Sequence, residues 1–432
     1  MYFSKKNLVC FFLNGFILSC SNFNPISSSL DSTVDGNYVI ETGMTDGELL
    51  EYGQIVLHRF KTVPHLVALK NADFQASPLF LMQNQPLYLL PSENTKKRQE
   101  IDTSPAVNDL SYSCLSAFCE AKFDALFSYL NIHQIELEPV KVAIIDSGIV
   151  PATFALEKSL SLSVNLSGDQ NMHNWSSHGT YIASVLSGFT QSEDYLSDIY
   201  APNALLTSVK INFVDDVSRG HKFYGSLQLA VALDEAVASG AQIVNLSFSY
   251  AHKPDPKAEI AEKIVMSRAR EKGVVFVVAA GNDAQELNVH PVYPASYDLE
   301  NIITVASHTV HLTKSNSSNY GTSVDLSAQG GALYANNKYG GVDLVGGTSF
   351  AAPLVVSAVS LYWGVFSQAH LATVIAHLLG SANPYYFSLE NTQGKAVSRY
   401  GRLNTWEFLK KGFQMFGFGK NLRKCHFSHL TR

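Results

Sequence analysis

Cysteine is scarce in this chain: five in 432 residues, with Cys10 and Cys20 inside the first twenty. The remaining Cys114, Cys119 and Cys425 give no bridge pattern from which a fold could be read. A Cys114–Cys119 link stays open where a turn allows it, with Cys425 left over. Charge is sparse as well. Charged residues make up 16% of the chain and the net charge is −6. The chain therefore lacks the basic surplus of a nucleic-acid binder, and no nucleic-acid partner is expected. No internal repeat occurs. Beyond the N-terminus, no run is apolar and long enough to span a bilayer. The scattered carboxylates Asp169, Glu193, Asp194, Asp198, Asp215 and Asp216 do not spell a calcium loop. What remains is a mildly acidic globular chain, long enough for a sizeable core and a small second domain.

Four short motifs carry chemistry. In Gly346-Gly347-Thr348-Ser349-Phe350-Ala351-Ala352-Pro353 the glycines let the backbone turn sharply before a serine. The apolar run after it, from Leu354 to Leu361, reads as a buried helix. Ser349 thus sits on a first helical turn, at the positive end of the dipole. It could also be an ordinary N-cap. Lys141 to Ile145 is a continuous apolar run ending in Asp146-Ser147-Gly148, as a strand of a parallel sheet would. Asp146 then stands at the strand's carboxyl end, where open α/β sheets place their sites. His178, in Ser177-His178-Gly179-Thr180, opens a helical pattern and can act as a base if a carboxylate orients it; His173 has no such context. Asn282 follows Gly281 after the strand Val274–Ala279, and its amide is a neutral donor for an oxyanion.

The order Asp146, His178, Asn282, Ser349 resembles the subtilisin-like (subtilase, S8-type) serine peptidases. The resemblance extends over Ala201-Pro202-Asn203-Ala204, Val209-Lys210, Val244-Asn245-Leu246-Ser247, Tyr293-Pro294-Ala295 and Gly401-Arg402-Leu403-Asn404. It implies a doubly wound, mostly parallel α/β sheet. It also implies Ser349 as nucleophile, His178 as base and then acid, Asp146 as the group orienting the imidazole, and Asn282 as oxyanion donor. Ser247, Phe248 and Ser249 become the edge that pairs with a substrate main chain. Gly281 and Val292 become parts of the pocket for the residue before the scissile bond. Ser249 replaces a usual glycine and Val292 a small residue, so a shallow pocket is expected; a shift of alignment would turn Val292 to the core instead. Ala183-Ser184, Leu354 and Gln329 depart from the family pattern without touching the four motifs. Many relatives hold calcium, but no metal or other cofactor is expected here.

The N-terminus adds a second layer. Lys5-Lys6 and the apolar stretch Leu8–Leu18 read as a leader over residues 1–19. Ile17-Leu18-Ser19-Cys20 resembles a bacterial lipobox, making Cys20 the lipidated residue of an exported lipoprotein; plain secretion and an uncleaved anchor are the alternatives. Ser21 and Asn22 carry no acidic retention signal, which favours an outer membrane or cell surface. After a linker at 20–35, residues 36–92 read as a small α+β unit. It has strands at Asn37–Glu41, Leu66–Lys70 and Pro86–Leu90, helical spacing from Gly47 to Phe60, and a helical turn near Ser77 to Met82. The unit resembles the ferredoxin-like inhibitor propeptide of subtilases; an unrelated domain is the alternative. Residues 93–113, with Lys96-Lys97-Arg98, read as a linker and processing zone.

From residue 114 to 414, strands at 204–211, 241–247, 274–279 and 302–306 alternate with helices at 227–239, 258–272 and 350–365, as a sheet covered on both faces requires. Residues 415–432 form a basic tail. The reading is an exported serine endopeptidase with protein or peptide substrates, its own propeptide as partner, a membrane link through lipid, and a monomeric state. Two others stand beside it: a catalytically silent lipoprotein using the fold as a binding module, and an acyl-transferring ligase or esterase with the same triad.

Overall fold

Runs such as Val142-Ala143-Ile144-Ile145 and Val275-Phe276-Val277-Val278 have no polar alternation, and both lie buried at the centre of the molecule. The computed structural model describes residues 10–13, 16–20, 37–41, 43, 45–51, 55–70, 87–89, 116–167, 176–192, 195–197, 199–213, 226–250, 259–384 and 396–416. Eight strands form the main sheet: β1 (Val140–Asp146), β2 (Leu160–Asn165), β3 (Ala204–Lys210), β4 (Ile243–Leu246), β5 (Val275–Ala279), β6 (Ile302–His308), β7 (Leu326–Gln329) and β8 (Gly401–Arg402). Their order is β8-β7-β6-β5-β4-β1-β3-β2, and every neighbouring pair is parallel.

Successive side chains of one strand enter opposite cores. Val142, Ile144, Val275 and Val277 share a core with residues of helices α1 (His178–Ser187) and α4 (Thr348–Val365). Ala143, Ile145, Phe276 and Val278 share the other with α2 (Ser226–Ala238) and α3 (Glu259–Glu271). Burying one such aliphatic or aromatic side chain contributes roughly 1.5–3 kcal/mol. This doubly covered sheet is the α/β architecture expected from the alternation of strands and helices. Contrary to the sequence reading, one run beyond the N-terminus, helix α4, is long and apolar enough to cross a membrane by length and composition, but 94% of it is buried inside the fold.

The two ends of the large unit are stitched together. Glu120, in the short helix Ala117–Glu120, pairs with Arg402 of β8 and lies 3.2 Å from Nε2 of His308. Burial works to raise the Glu120 pKa, but His308 and Arg402 together hold it below the usual carboxylate value. The Thr405 amide donates to the Ala121 carbonyl at 2.9 Å. Cys119 is disulfide-bonded.

The N-terminal unit differs from the sequence reading in two ways. Helical spacing over Gly47–Phe60 predicts one helix, yet the helix covers Asp46–Glu51 only and Ile55–Arg59 is a strand. Ile55, Val56 and Leu57 satisfy either period, and pairing with Leu66–Lys70 selects the extended form. The resulting sheet is antiparallel, in the order 37–41, 66–70, 55–59. The expected third strand exists at Leu87–Leu89 but does not join this sheet. It pairs antiparallel with Phe248–Tyr250 of the large unit. Among the described residues, Cys10–Leu13 and Phe16–Cys20 pair only with each other. The helical turn near 77–82, the 93–113 linker, the tail beyond 416, Cys114, Cys425, His173 and the six scattered carboxylates lie outside the described residues.

Asp325, at the foot of β7, accepts from the Thr304 amide at 2.8 Å. Burial lifts its pKa from 3.8 to about 6, against the opposing pull of that amide and Arg399. Between those two values the folded protein holds a proton that the unfolded chain has released, so stability falls as pH rises through this window. Asp325→Asn should abolish that fall. Urea unfolding should find the variant more stable than the parent above pH 6, by at most about 3 kcal/mol, with the gap closing near pH 4.

Candidate active site

The carboxyl ends of β1, β4 and β5 open on one side of the sheet, and the four motifs converge there. Asp146 ends β1 and is fully buried. Its Oδ1 accepts from the Ser147 amide at 2.7 Å, and both carboxylate oxygens lie 3.0 Å from His178 Nδ1. His178 is the first residue of α1 and only 5% exposed. Gly179 permits this closeness. A Cβ there would lie 2.5 Å from the Gly148 carbonyl oxygen and 3.2 Å from Asp146 Oδ1. The Gly179 amide donates to Ser147 Oγ at 3.1 Å, which locks α1 to the β1 turn. With Nδ1 held by the carboxylate, Nε2 is the nitrogen left to act, and it is buried with no hydrogen-bond partner among the described residues.

Ser349 lies in the first turn of α4, and the neighbouring Phe350 ring stands 5.8 Å from the His178 ring. Ser349 Oγ donates to the Ser247 carbonyl at 3.3 Å, and Ser247 Oγ donates back to the Ser349 carbonyl at 3.1 Å. The hydroxyl therefore rests on the edge segment rather than on Nε2 of His178; catalytic hydrogen bonds often tighten only when substrate is bound.

Asn282 follows β5. Its Oδ1 accepts from both the amide and the hydroxyl of Thr348, each at 3.0 Å. The Thr348 hydroxyl in turn accepts from the Gly281 amide at 3.2 Å. These bonds fix the amide's orientation and place Nδ2 3.0 Å from where a Cβ on Gly347 would stand. Gly347 has φ of +124°, a conformation that only glycine takes easily. Thr348 and Ser147, the two residues that set these orientations, escaped the sequence reading. Each adjoins a motif residue, and adjacency was the only signal.

The edge segment shares the same cleft. The Phe248 side chain is fully buried in the second core against Phe213, so only its backbone is available to a ligand. Ser249 is buried and pairs with Tyr88, and the Tyr250 amide donates to the Tyr293 carbonyl at 2.9 Å. Val292 is partly buried on the second core, with Cγ1 3.7 Å from a Cβ position on Gly281. It thus stands beside Gly281, with part of its side chain on the core. Among the described residues no group of three His, Cys, Asp or Glu side chains gathers as metal ligands would.

The model of the subtilase family (Peptidase S8) matches residues 138–404, more than half of the chain. The chain belongs to that family. Subtilisin DY of Bacillus licheniformis is 27% identical over 223 residues, covering 51% of this chain and 76% of subtilisin DY. Subtilisin-like protease 2 of Plasmodium falciparum is 29% identical over 241 residues, 52% of this chain. The matched region spans only 17% of that much longer protein. Among solved structures, the epidermin leader peptide processing serine protease of Staphylococcus aureus superposes with a TM-score of 0.65 at 18% identity, covering 88% of this chain and 98% of that one. Fervidolysin of Fervidobacterium pennivorans gives 0.64 at 17% identity, covering 88% and 62%. At these identities the two structures establish a shared fold.

Gly179→Ala should push α1 off the β1 turn. Unfolding in urea should show a loss of about 1–3 kcal/mol, the usual cost of overpacking a tight contact.

Proposed function

We propose that this subtilase is an exported serine endopeptidase acting through an acyl-enzyme. The observation that carries the reading is the buried Asp146–His178 pair, whose Nε2 is unpartnered among the described residues, beside the helix start that bears Ser349 and Phe350. In the proposed reaction Ser349 Oγ attacks a peptide carbonyl, and its proton passes to His178 Nε2. Asp146 holds the tautomer that can receive it and stabilises the imidazolium that forms. The carbonyl oxygen, now negative, is bound by Asn282 Nδ2 and the Ser349 amide at the positive end of α4. His178 then gives its proton to the leaving amine, the C–N bond breaks, and water releases the acyl group by the reverse sequence.

Phe248–Tyr250 receives the substrate backbone as an added strand. The antiparallel seat of Leu87–Leu89 on that segment supports this role, because it is what a peptide in the cleft would do. The same contact supports reading residues 36–92 as an inhibitory propeptide that covers the edge until maturation. Cys20 is proposed as the lipidated residue that ties the N-terminal unit to a membrane, with the outer membrane or cell surface as destination. A cut within 93–113 then either sheds the catalytic unit or leaves it held by contact alone.

A fluorophosphonate probe should label the purified protein and should not label Ser349→Ala; equal labelling of both would refute the assignment. Asn282→Ala should lower kcat by roughly 10²–10³, the range already known for this donor in subtilisin, with little change in KM. A peptide library varied before the scissile bond should favour small and medium apolar residues, given Val292 beside Gly281. A strong preference for Phe, Tyr or Arg would count against the shallow pocket.

A further inference from the structure

Asn319 has no part in the chemistry above, yet it lies fully buried against the loop that carries Asn282. Among the described residues its side chain makes three hydrogen bonds, all to the backbone on either side of Asn282. Nδ2 donates to the Ala280 carbonyl at 2.9 Å, and Oδ1 accepts from the amides of Asp283 and Gln285 at 3.1 and 2.9 Å. The Asn319 amide donates to the Gly281 carbonyl at 2.9 Å. One residue thus grips positions 280, 281, 283 and 285 and straddles 282.

The loop needs such a grip. Ala280 and Leu287 at its ends belong to the second core, but Asp283, Ala284 and Gln285 between them are exposed, so core packing does not hold them. Gly281 has φ of +102°, and a Cβ there would lie 2.4 Å from Asn319 Nδ2. The glycine therefore serves both the turn and the close approach of Asn319.

Asn319 itself stands on a rigid base. It follows a turn between β6 and β7 that is built around the buried Lys314. Lys314 Nζ donates to the carbonyls of Ser315, Asn316 and Ser318 at 2.8, 3.0 and 3.0 Å. A buried cation demands such partners, and here they draw the turn closed. The Ser307 amide donates to Ser318 Oγ at 2.9 Å, which fixes the turn to the end of β6. The Ala284 amide donates to the Ser317 carbonyl at 2.6 Å, and the Tyr320 amide to the Gln285 carbonyl at 3.0 Å. The loop after β5 is thus moulded on the turn after β6.

We propose that Asn319 is a positioning residue for the oxyanion donor: it sets where the Asn282 backbone stands, as Thr348 sets which way the Asn282 amide points. This role rests on the peptidase reading. A donor is effective only when it lies about 2.7–3.1 Å from the oxygen on which charge develops. A misplacement of about 1 Å costs roughly 10²-fold. Loss of Asn319 therefore acts on turnover rather than on substrate binding, and it acts through Asn282.

The test is a double-mutant cycle on the purified full chain, read as kcat and KM with one peptide substrate. Asn319→Ala should lower kcat by roughly 10- to 10²-fold with KM changed by less than about twofold. In an Asn282→Ala background the same substitution should lower kcat by less than about threefold, because the donor it positions is already gone. Asn319→Asp keeps an acceptor for both amides and removes the donor to Ala280. It should give a smaller loss of kcat that also vanishes in the Asn282→Ala background, and it carries the test if Asn319→Ala does not fold. Circular dichroism and urea unfolding check the fold of each variant. Parental kcat in a folded Asn319 variant would overturn the proposal, and so would equal losses with and without Asn282. Labelling of Ser349 by the fluorophosphonate tests the peptidase reading separately. A parent that is labelled and cleaves the peptide, with either of those results, removes the positioning role alone.

Discussion

Parallel pairing of β1 with both β3 and β4 is the constraint on which the site depends. Parallel strands all end on the same side, so Asp146, Ser247 and Asn282 are delivered to one edge by strands or segments far apart in sequence. The helices must then return on the two faces, which brings the starts of α1 and α4 to that same edge. His178 and Ser349 are therefore not placed by local turns alone. They arrive because a helix packed on this sheet must begin where the previous strand left off. Glycines at 179 and 347 let those helix starts come closer than any side chain would allow.

The large sheet was legible because its strands are buried on both faces. Val142–Ile145 and Val275–Val278 cannot be half-solvated, so unbroken apolar runs had one good reading. The convergence of the four motifs was legible only through their resemblance to a family, since periodicity carries no information on which strand ends meet. The N-terminal unit was less readable. Between Gly47 and Phe60 the apolar residues fit a helix and a strand about equally, and only the neighbouring strand at 66–70 decides. Leu87–Leu89 was recognised as a strand, but the sheet it would join depends on an acceptor 160 residues away.

Asp234 illustrates a different limit. Acids inside an apolar helix, such as Asp234 and Glu235 between Leu229 and Val237, ordinarily mark the solvated face. Here that face is covered by another part of the chain, at Lys61 and Thr62, and nothing in the local sequence says so. Thr348 was hidden for the opposite reason: it stands inside the most informative motif, where Ser349 draws the attention. Its hydroxyl both receives the Gly281 amide and donates to Asn282, so it couples the end of β5 to the start of α4.

The stitched ends of the large unit have a mechanical meaning. Glu120 and Ala121 are fastened to Arg402 and Thr405 on the outermost strand and the helix after it, four strand positions from β4. Once Leu87–Leu89 has left Phe248–Tyr250 and Lys61 and Thr62 have left Asp234, a pull on the polypeptide ahead of residue 116 loads that seam first, by shearing an ion pair and a backbone bond at the rim. The strands bearing the cleft would feel little of it. Strain entering at the leading end of the catalytic unit is thus spent at its rim, away from the reactive groups.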